Sequence, residues 1–192
     1  MIDARRYSAE ETLKNGTAVR IRGIRADDKN RIREAFRNLE RESIYKRFFT
    51  HKKDLTDEEL KAATEVDFES TVALVVTMGE GETETIIGAG RYVAFDAPGG
   101  RRSAEVAFTV QENYQGLGIA SLTLRHLVTI AKDKGIEELL AEVLRENKGM
   151  LTVFQRCRLP MKQEHHEGVV HVTLSLRGKG QMNEFEEVNG PD

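Results

Sequence analysis

From residue 18 to residue 24 the chain alternates, with Val19, Ile21 and Gly23 on one side and Arg20 and Arg22 on the other. A period of two marks a half-buried strand, here with the arginines turned to solvent. The period then lengthens. Ile32, Ala35, Phe36 and Leu39 recur at helical spacing behind Asp27 and Asp28, which suit a helix start, and predict a helix to about Arg41. Thr56 and Glu59 have the spacing of a reciprocal cap, opening a short helix through about Ala63. Apolar and β-branched residues follow over 71–78, 85–95 and 102–110. The breaks between these runs are Gly79-Glu80-Gly81 and Asp96-Ala97-Pro98-Gly99-Gly100, so three strands form an antiparallel meander. A helix over 116–134, a strand over 136–144, a helix over 148–156 and strands over 159–164 and 169–176 complete the pattern.

The order β-α-α-β-β-β-α-β-α-β-β predicts an α+β protein, a single domain over 18–177 whose mixed, mostly antiparallel sheet is flanked by helices. Residues 1–17 are polar and end in Asn15-Gly16, the pattern of a flexible N-terminal arm. Residues 178–192 are polar and read as a disordered tail.

Composition narrows the function classes. The 192 residues, 39% of them hydrophobic, suit one core. Lys and Arg total 29 against 32 Asp and Glu, a net charge of −3, without the basic surplus of a nucleic-acid binder. The single cysteine, Cys157, excludes an internal disulfide and suits a reducing compartment. The first ten residues carry charges throughout and lack the apolar segment of a secretory signal. No apolar run approaches the roughly 18–20 residues of a membrane helix. A cytoplasmic protein is therefore expected, with neither nucleic acid nor membrane as partner. His165 and His166 are adjacent in a strand and point to opposite faces, so they cannot chelate together, and no metal is expected. Cys157, near Leu151, Val153 and Phe154, reads as packing rather than as a nucleophile.

The candidate chemistry starts where the third meander strand gives way to the long helix, at Gln115-Gly116-Leu117-Gly118-Ile119-Ala120. Two glycines let backbone N–H groups turn inward, and the helix N-terminus adds partial positive charge. Together they suit a pyrophosphate. Leu117, Ala120, Leu124, Val128 and Ala131 mark the stripe expected to seat the helix. A dinucleotide fingerprint fits less well, because Ser121 takes the place of its third glycine and antiparallel strands precede the loop. Upstream, Glu105 is the lone acid in the apolar run 104–110. It is either a carboxylate whose burial would raise its pKa toward that of a general base, or a strand-start residue meeting solvent, Arg101 or Arg102.

These residues resemble a known family. The segment 104–110, the Tyr114-Gln115 lead-in and the glycine loop resemble motif A of the GNAT superfamily of N-acetyltransferases, whose signature [Q/R]-x-x-G-x-[G/A] is filled by Gln115, Gly118 and Ala120. The strand 139–144 followed by Asn147, Met150 and Leu151 resembles its motif B. Within the superfamily, Ser43-Ile44-Tyr45-Lys46-Arg47-Phe48-Phe49 and Val66-Asp67-Phe68 resemble bacterial protein lysine acetyltransferases of the Pat type. The resemblance implies acetyl-coenzyme A as the donor substrate and a primary amine, a protein lysine or a small amine, as acceptor. It implies Glu105 as general base, backbone groups of Phe108 and Val110 pairing with the pantetheine arm, and Asn147 contacting coenzyme A. It also implies a monomer or homodimer. Three residues depart from the family pattern: Phe154 stands where many members carry a tyrosine acid, and Arg158-Leu159 replaces a Gly-Phe pair. Pat-type enzymes often carry a separate ligand-binding domain as well. These departures motivate a second reading, a non-catalytic acetyl-coenzyme A-binding sensor or interaction module.

Overall fold

The computed structural model describes residues 1–48 and 52–177; Phe49, His51 and the tail over 178–192 lie outside them. Its strands are β1 (Ser8–Thr12), β2 (Ala18–Gly23), β3 (Thr71–Met78), β4 (Thr85–Asp96), β5 (Arg102–Val110), β6 (Glu138–Leu144), β7 (Met161–His166) and β8 (Val169–Ser175). The helices are α1 (Lys29–Arg37), α2 (Arg41–Phe48), α3 (Asp57–Thr64), α4 (Ile119–Asp133) and α5 (Lys148–Arg156). The strands form one sheet in the order β1-β2-β3-β4-β5-β6-β8-β7. Every neighbouring pair is antiparallel except β5 and β6. The expected meander is β3-β4-β5, and the α4 crossover joins the one parallel pair, β5 and β6.

α3 starts as its sequence predicts. Thr56 accepts from the Glu59 N–H at 3.2 Å, while Glu59 accepts from the Thr56 N–H at 2.9 Å. α4 lies across β4, and a Cβ on Gly90 would meet the Thr123 methyl at 2.6 Å, so glycine lets the helix approach. Its buried face is Ile119, Thr123, Leu127 and Ile130, flanked by Leu124, His126 and Ala131. This is offset from the expected stripe, because the helix begins at Ile119 and Leu117 belongs to the loop before it. α1, α2 and α3 occupy the opposite face, where α1 crosses β4 and α2 crosses β5.

Three expectations are corrected. Residues 1–17 are not a loose arm: β1 pairs with β2 from Ser8↔Arg22 to Thr12↔Ala18, and Ala4 and Leu13 are buried. Two further ties fix it, since Glu11 holds Arg125 and His126 of α4, the latter at 2.8 Å, and Tyr7 bonds the other His126 ring nitrogen. Second, Arg22 is not on a solvent face but is 1% exposed, seated between Asp28 and Glu84. Asp28 consequently does not cap α1 with its side chain; it binds Arg22 and the Arg25 N–H instead. Third, the helix expected to about Arg41 ends at Arg37, and α2 is a separate element.

The position of the site follows from how β5 and β6 meet. They pair only at Ser103↔Glu138, Ala104↔Leu139 and Glu105↔Leu140. Beyond Glu105, β5 runs on to Val110 bonded to β4 alone, and beyond Leu140, β6 runs on to Leu144 bonded to β8 alone. The two strands splay, leaving facing backbone edges over 106–110 and 141–144.

Candidate active site

A cleft of about 460 Å³ opens at the wide end of that splay. The glycine loop, the first turn of α4, the start of α5 and the end of β5 line it. Gly116 and Gly118 have φ of +77° and +96°, the left-handed region in which side chains are strained, so the loop conformation itself calls for glycine. Gly118 is the N-cap of α4, whose first N–H groups lack helical partners and face the cleft end of the helix. Gln115 braces the loop, donating to the Val110 carbonyl at 3.2 Å and the Ser43 hydroxyl at 3.3 Å.

Of the residues singled out by sequence, Phe108, Val110, Gln115, Gly116, Gly118, Ile119, Ala120 and Asn147 all line this cleft. Leu117 does not. It packs against the core, and its carbonyl accepts the Lys14 N–H at 3.1 Å. Asn147 also caps α5, its side-chain oxygen accepting from the Met150 N–H at 3.2 Å. Phe154 is 1% exposed and meets Phe108 edge to face with ring centres 6.1 Å apart, so it floors the splay.

Sequence reasoning missed the cations. Lys14, Lys46, Arg47, Lys148 and Arg156 line the cleft, Lys46 paired with Glu42, and among the described residues no Asp or Glu lines it. A cleft with these cations, unpaired backbone edges and a helix N-terminus is built for an extended polyanion. Lys148 was within reach of a sequence argument, because it follows Asn147 at a helix start. Lys14 was not, being carried in by the β1–β2 turn, where its stem lies over Gly118.

Glu105 occupies the vertex of the splay, in the last pair before the strands part. It is exposed, as are none of the even-numbered residues after it in β5, so the strand is buried on one face only. That overturns the buried-carboxylate alternative: Ala107, apolar in sequence, and Thr109 share Glu105's outer face. On that face Arg91 pairs across with Ala107 and Val93 with Glu105, which sets Arg91 diagonally beside Glu105. Arg47 comes down from α2 to the same spot. Its guanidinium is pushed down to about 10 by burial and by the charge of Arg91, with Glu105 pulling the other way.

A second chamber, about 280 Å³, lies on this face between the sheet and α1–α3, lined by Ile32, Phe36, Leu39, Phe48 and Leu55 among others. Arg47 borders the cleft, the chamber and the small gap between the splayed strands. Among the described residues no group of three or more His, Cys, Asp or Glu is arranged to hold a metal, and no helix is long and apolar enough to cross a membrane.

Known proteins agree with this geometry. The acetyltransferase (GNAT) family model matches residues 33–158. Acetyltransferase PA5475 of Pseudomonas aeruginosa is 28% identical over 140 residues, covering 73% of this chain and 74% of that protein. Acetyltransferase Pat of Mycolicibacterium smegmatis is 34% identical over 115 residues, which are 60% of this chain but only 33% of that protein. The crystal structure of the GNAT domain of S. lividans PAT superposes with a TM-score of 0.79 and 32% identity, covering 88% of this chain and 96% of that one. With the family model spanning more than half of its length, the chain belongs to the acetyltransferase (GNAT) family, the acetyl-coenzyme A-dependent N-acetyltransferases.

Proposed function

We propose that the chain moves the acetyl group of acetyl-coenzyme A directly to a primary amine, with Glu105 as general base. The observation that carries this reading is the junction: the anion cleft and the apolar chamber share Arg47 and Thr109 in their walls, and Glu105, which lines neither, lies beside Arg47 in the last β5–β6 pair. The glycine loop and its cations hold the pyrophosphate, and the facing edges at 106–110 and 141–144 offer backbone partners to the pantetheine amides. Phe108, Val110 and Asn147 line that path.

An alkylamine with a pKa near 10.4 is mostly protonated at neutral pH, and removing that proton costs about 4–5 kcal/mol. Two features lower the cost. Arg47 and Arg91 disfavour a second cation beside them, which favours the neutral amine. Glu105 then accepts the proton, directly or through one water, and its exposure lets the proton pass on to solvent. The amine nitrogen bonds to the thioester carbonyl carbon, a backbone N–H near the end of β5 holds the oxyanion, and the carbon–sulfur bond breaks. Phe154 offers no proton to the departing thiolate. With a thiol pKa of about 8.5, the sulfur takes one from water instead. The Pat-type relatives place a protein lysine among the acceptors to be tried.

Thiol release from acetyl-coenzyme A in the presence of an amine panel tests this reading. Glu105→Gln is expected to lower kcat by at least about tenfold and leave acetyl-coenzyme A affinity unchanged. Full turnover by that variant removes Glu105 as the base; no thiol release by the wild-type protein with any amine removes the reading.

A further inference from the structure

The chamber under α1–α3 has walls of one kind and a mouth of another. Its body is aliphatic and aromatic, and its one acid, Glu59, is engaged by Lys52 and by the Thr56 N–H. At the mouth stand two arginines, Arg47 and Arg91, and neither makes an ion pair or a side-chain hydrogen bond among the described residues. Arg47 lies over the Phe48 ring, 4.9 Å from its centre, which supports the guanidinium without neutralising it. A half-buried guanidinium pushed down by burial and by a second arginine is a group held ready for an anion. Of the two, Arg91 lines the chamber and not the donor cleft, while Arg47 borders both. Beside the arginines is Glu105, a carboxylate on the same sheet face.

We infer that the acceptor is a small zwitterionic amine, an α-amino acid with an apolar side chain. Its carboxylate rests on Arg47 and Arg91, its amine faces Glu105 and the thioester, and its side chain fills the chamber. The inference rests on the acetyl-transfer reading and adds the acceptor's class to it. Three features of the site each match one part of that molecule: paired cations the carboxylate, Glu105 the ammonium proton, and the apolar walls the side chain. Arg91 and Glu105 are diagonal neighbours, roughly 7–8 Å apart at the backbone, a span that an amine and a carboxylate on one carbon bridge between two side-chain ends. A polyamine is disfavoured at the same place, since its remaining ammonium groups would meet the arginines or the apolar wall. The products are the N-acetyl amino acid and coenzyme A, with the ammonium proton leaving through Glu105.

The test measures thiol release by the full chain from acetyl-coenzyme A with L-leucine, L-methionine and L-phenylalanine, their carboxamides, spermidine and a lysine peptide. The amino acids are expected as the best acceptors, and each carboxamide is expected to lose about thirtyfold or more in kcat/KM, as when a buried charged group loses its partner. Arg47→Met, which also takes a charge from the donor cleft, should lower kcat/KM for the amino acids more than for their amides, so that the difference between acid and amide disappears. The wild-type comparison of acid with amide stands even where the variant folds poorly. Turnover of spermidine or the lysine peptide without turnover of the amino acids overturns the inference and leaves acetyl transfer standing. Equal rates for acid and amide also overturn it. So does faster transfer from succinyl-coenzyme A than from acetyl-coenzyme A to amines lacking a carboxylate, because Arg47 would then read the acyl group. Absence of thiol release with every one of these amines overturns both readings.

Discussion

Arg22 commits every N–H of its guanidinium. Two go to Asp28 at 2.8 Å, two to Glu84 at 3.0 and 3.1 Å, and one to the Gly23 carbonyl at 3.1 Å. Burial alone would push Asp28 up, but hydrogen bonds from Arg22 and the Arg25 N–H, with the arginine's charge, hold it below the usual carboxylate range. Glu84 is held low first by its hydrogen bonds to Arg22. Both folded-state values lie below the unfolded ones, near 4, so the stability they contribute is complete above about pH 5 and fades as pH falls through about 4. Arg22→Met leaves Asp28, 0% exposed, with the Arg25 N–H and a longer Arg31 contact at 3.4 Å, and is expected to cost about 3 kcal/mol at neutral pH. Urea unfolding at pH 7 and pH 3.5 checks both statements: the wild type should lose more stability than the variant between the two. Sequence patterning misplaced Arg22 because alternation assigns it an outer face, and only the arrival of Asp28 and Glu84 makes that face an interior. Glu105 was the reverse case. Its identity stood out in the sequence, but its exposure did not, because the run around it is apolar but for Thr109, while its own face stays half open.

At the scale of elements, the glycine loop was legible to the residue and its support was not. Gly118→Ala is expected to cost about 1–2 kcal/mol from the left-handed backbone alone. It should also weaken acetyl-coenzyme A binding about tenfold or more by moving the first N–H groups of α4, as calorimetry would show. The sequence hid β1 because Ser8–Thr12 contains no large apolar residue. An edge strand exposed on one face and only half-buried on the other, with no large apolar side chain, offers no hydrophobic alternation to find, and its docking rests on backbone pairing and on Glu11, Tyr7 and Leu13. The consequence is functional, because the β1–β2 turn places Lys14 on the loop. Lys14→Ala should reduce acetyl-coenzyme A affinity several-fold at low salt and less at high salt, the signature of a charge contact at a surface cleft. Unchanged affinity at low salt would take Lys14 out of the site.

For the whole molecule, the β3-β4-β5 meander and a mixed, mostly antiparallel sheet could be read from the chain. The splay could not. Residues 106–110 are as strand-prone as any in the sheet, and nothing local says that they stop pairing after Glu105. Among the described residues, three paired positions and the Glu137 N–H to Arg102 carbonyl bond at 2.8 Å are therefore what ties β5 to β6, and with it the β1–β5 half to the β6–β8–β7 half. A sheet joined so briefly is expected to open as two exchange units, the smaller three-stranded one first. A ligand laid between the halves would act as a stitch. Acetyl-coenzyme A at a hundred times its Kd should raise unfolding free energy by about 2.7 kcal/mol. It should also slow amide exchange at 106–110 and at 141–144 together, on both banks of the opening. Protection confined to the start of α4 would mean that the pantetheine arm lies elsewhere. With protection on both banks, the donor would complete the hydrogen-bonded continuity of the sheet, and each release of coenzyme A would return the protein to its two-part state.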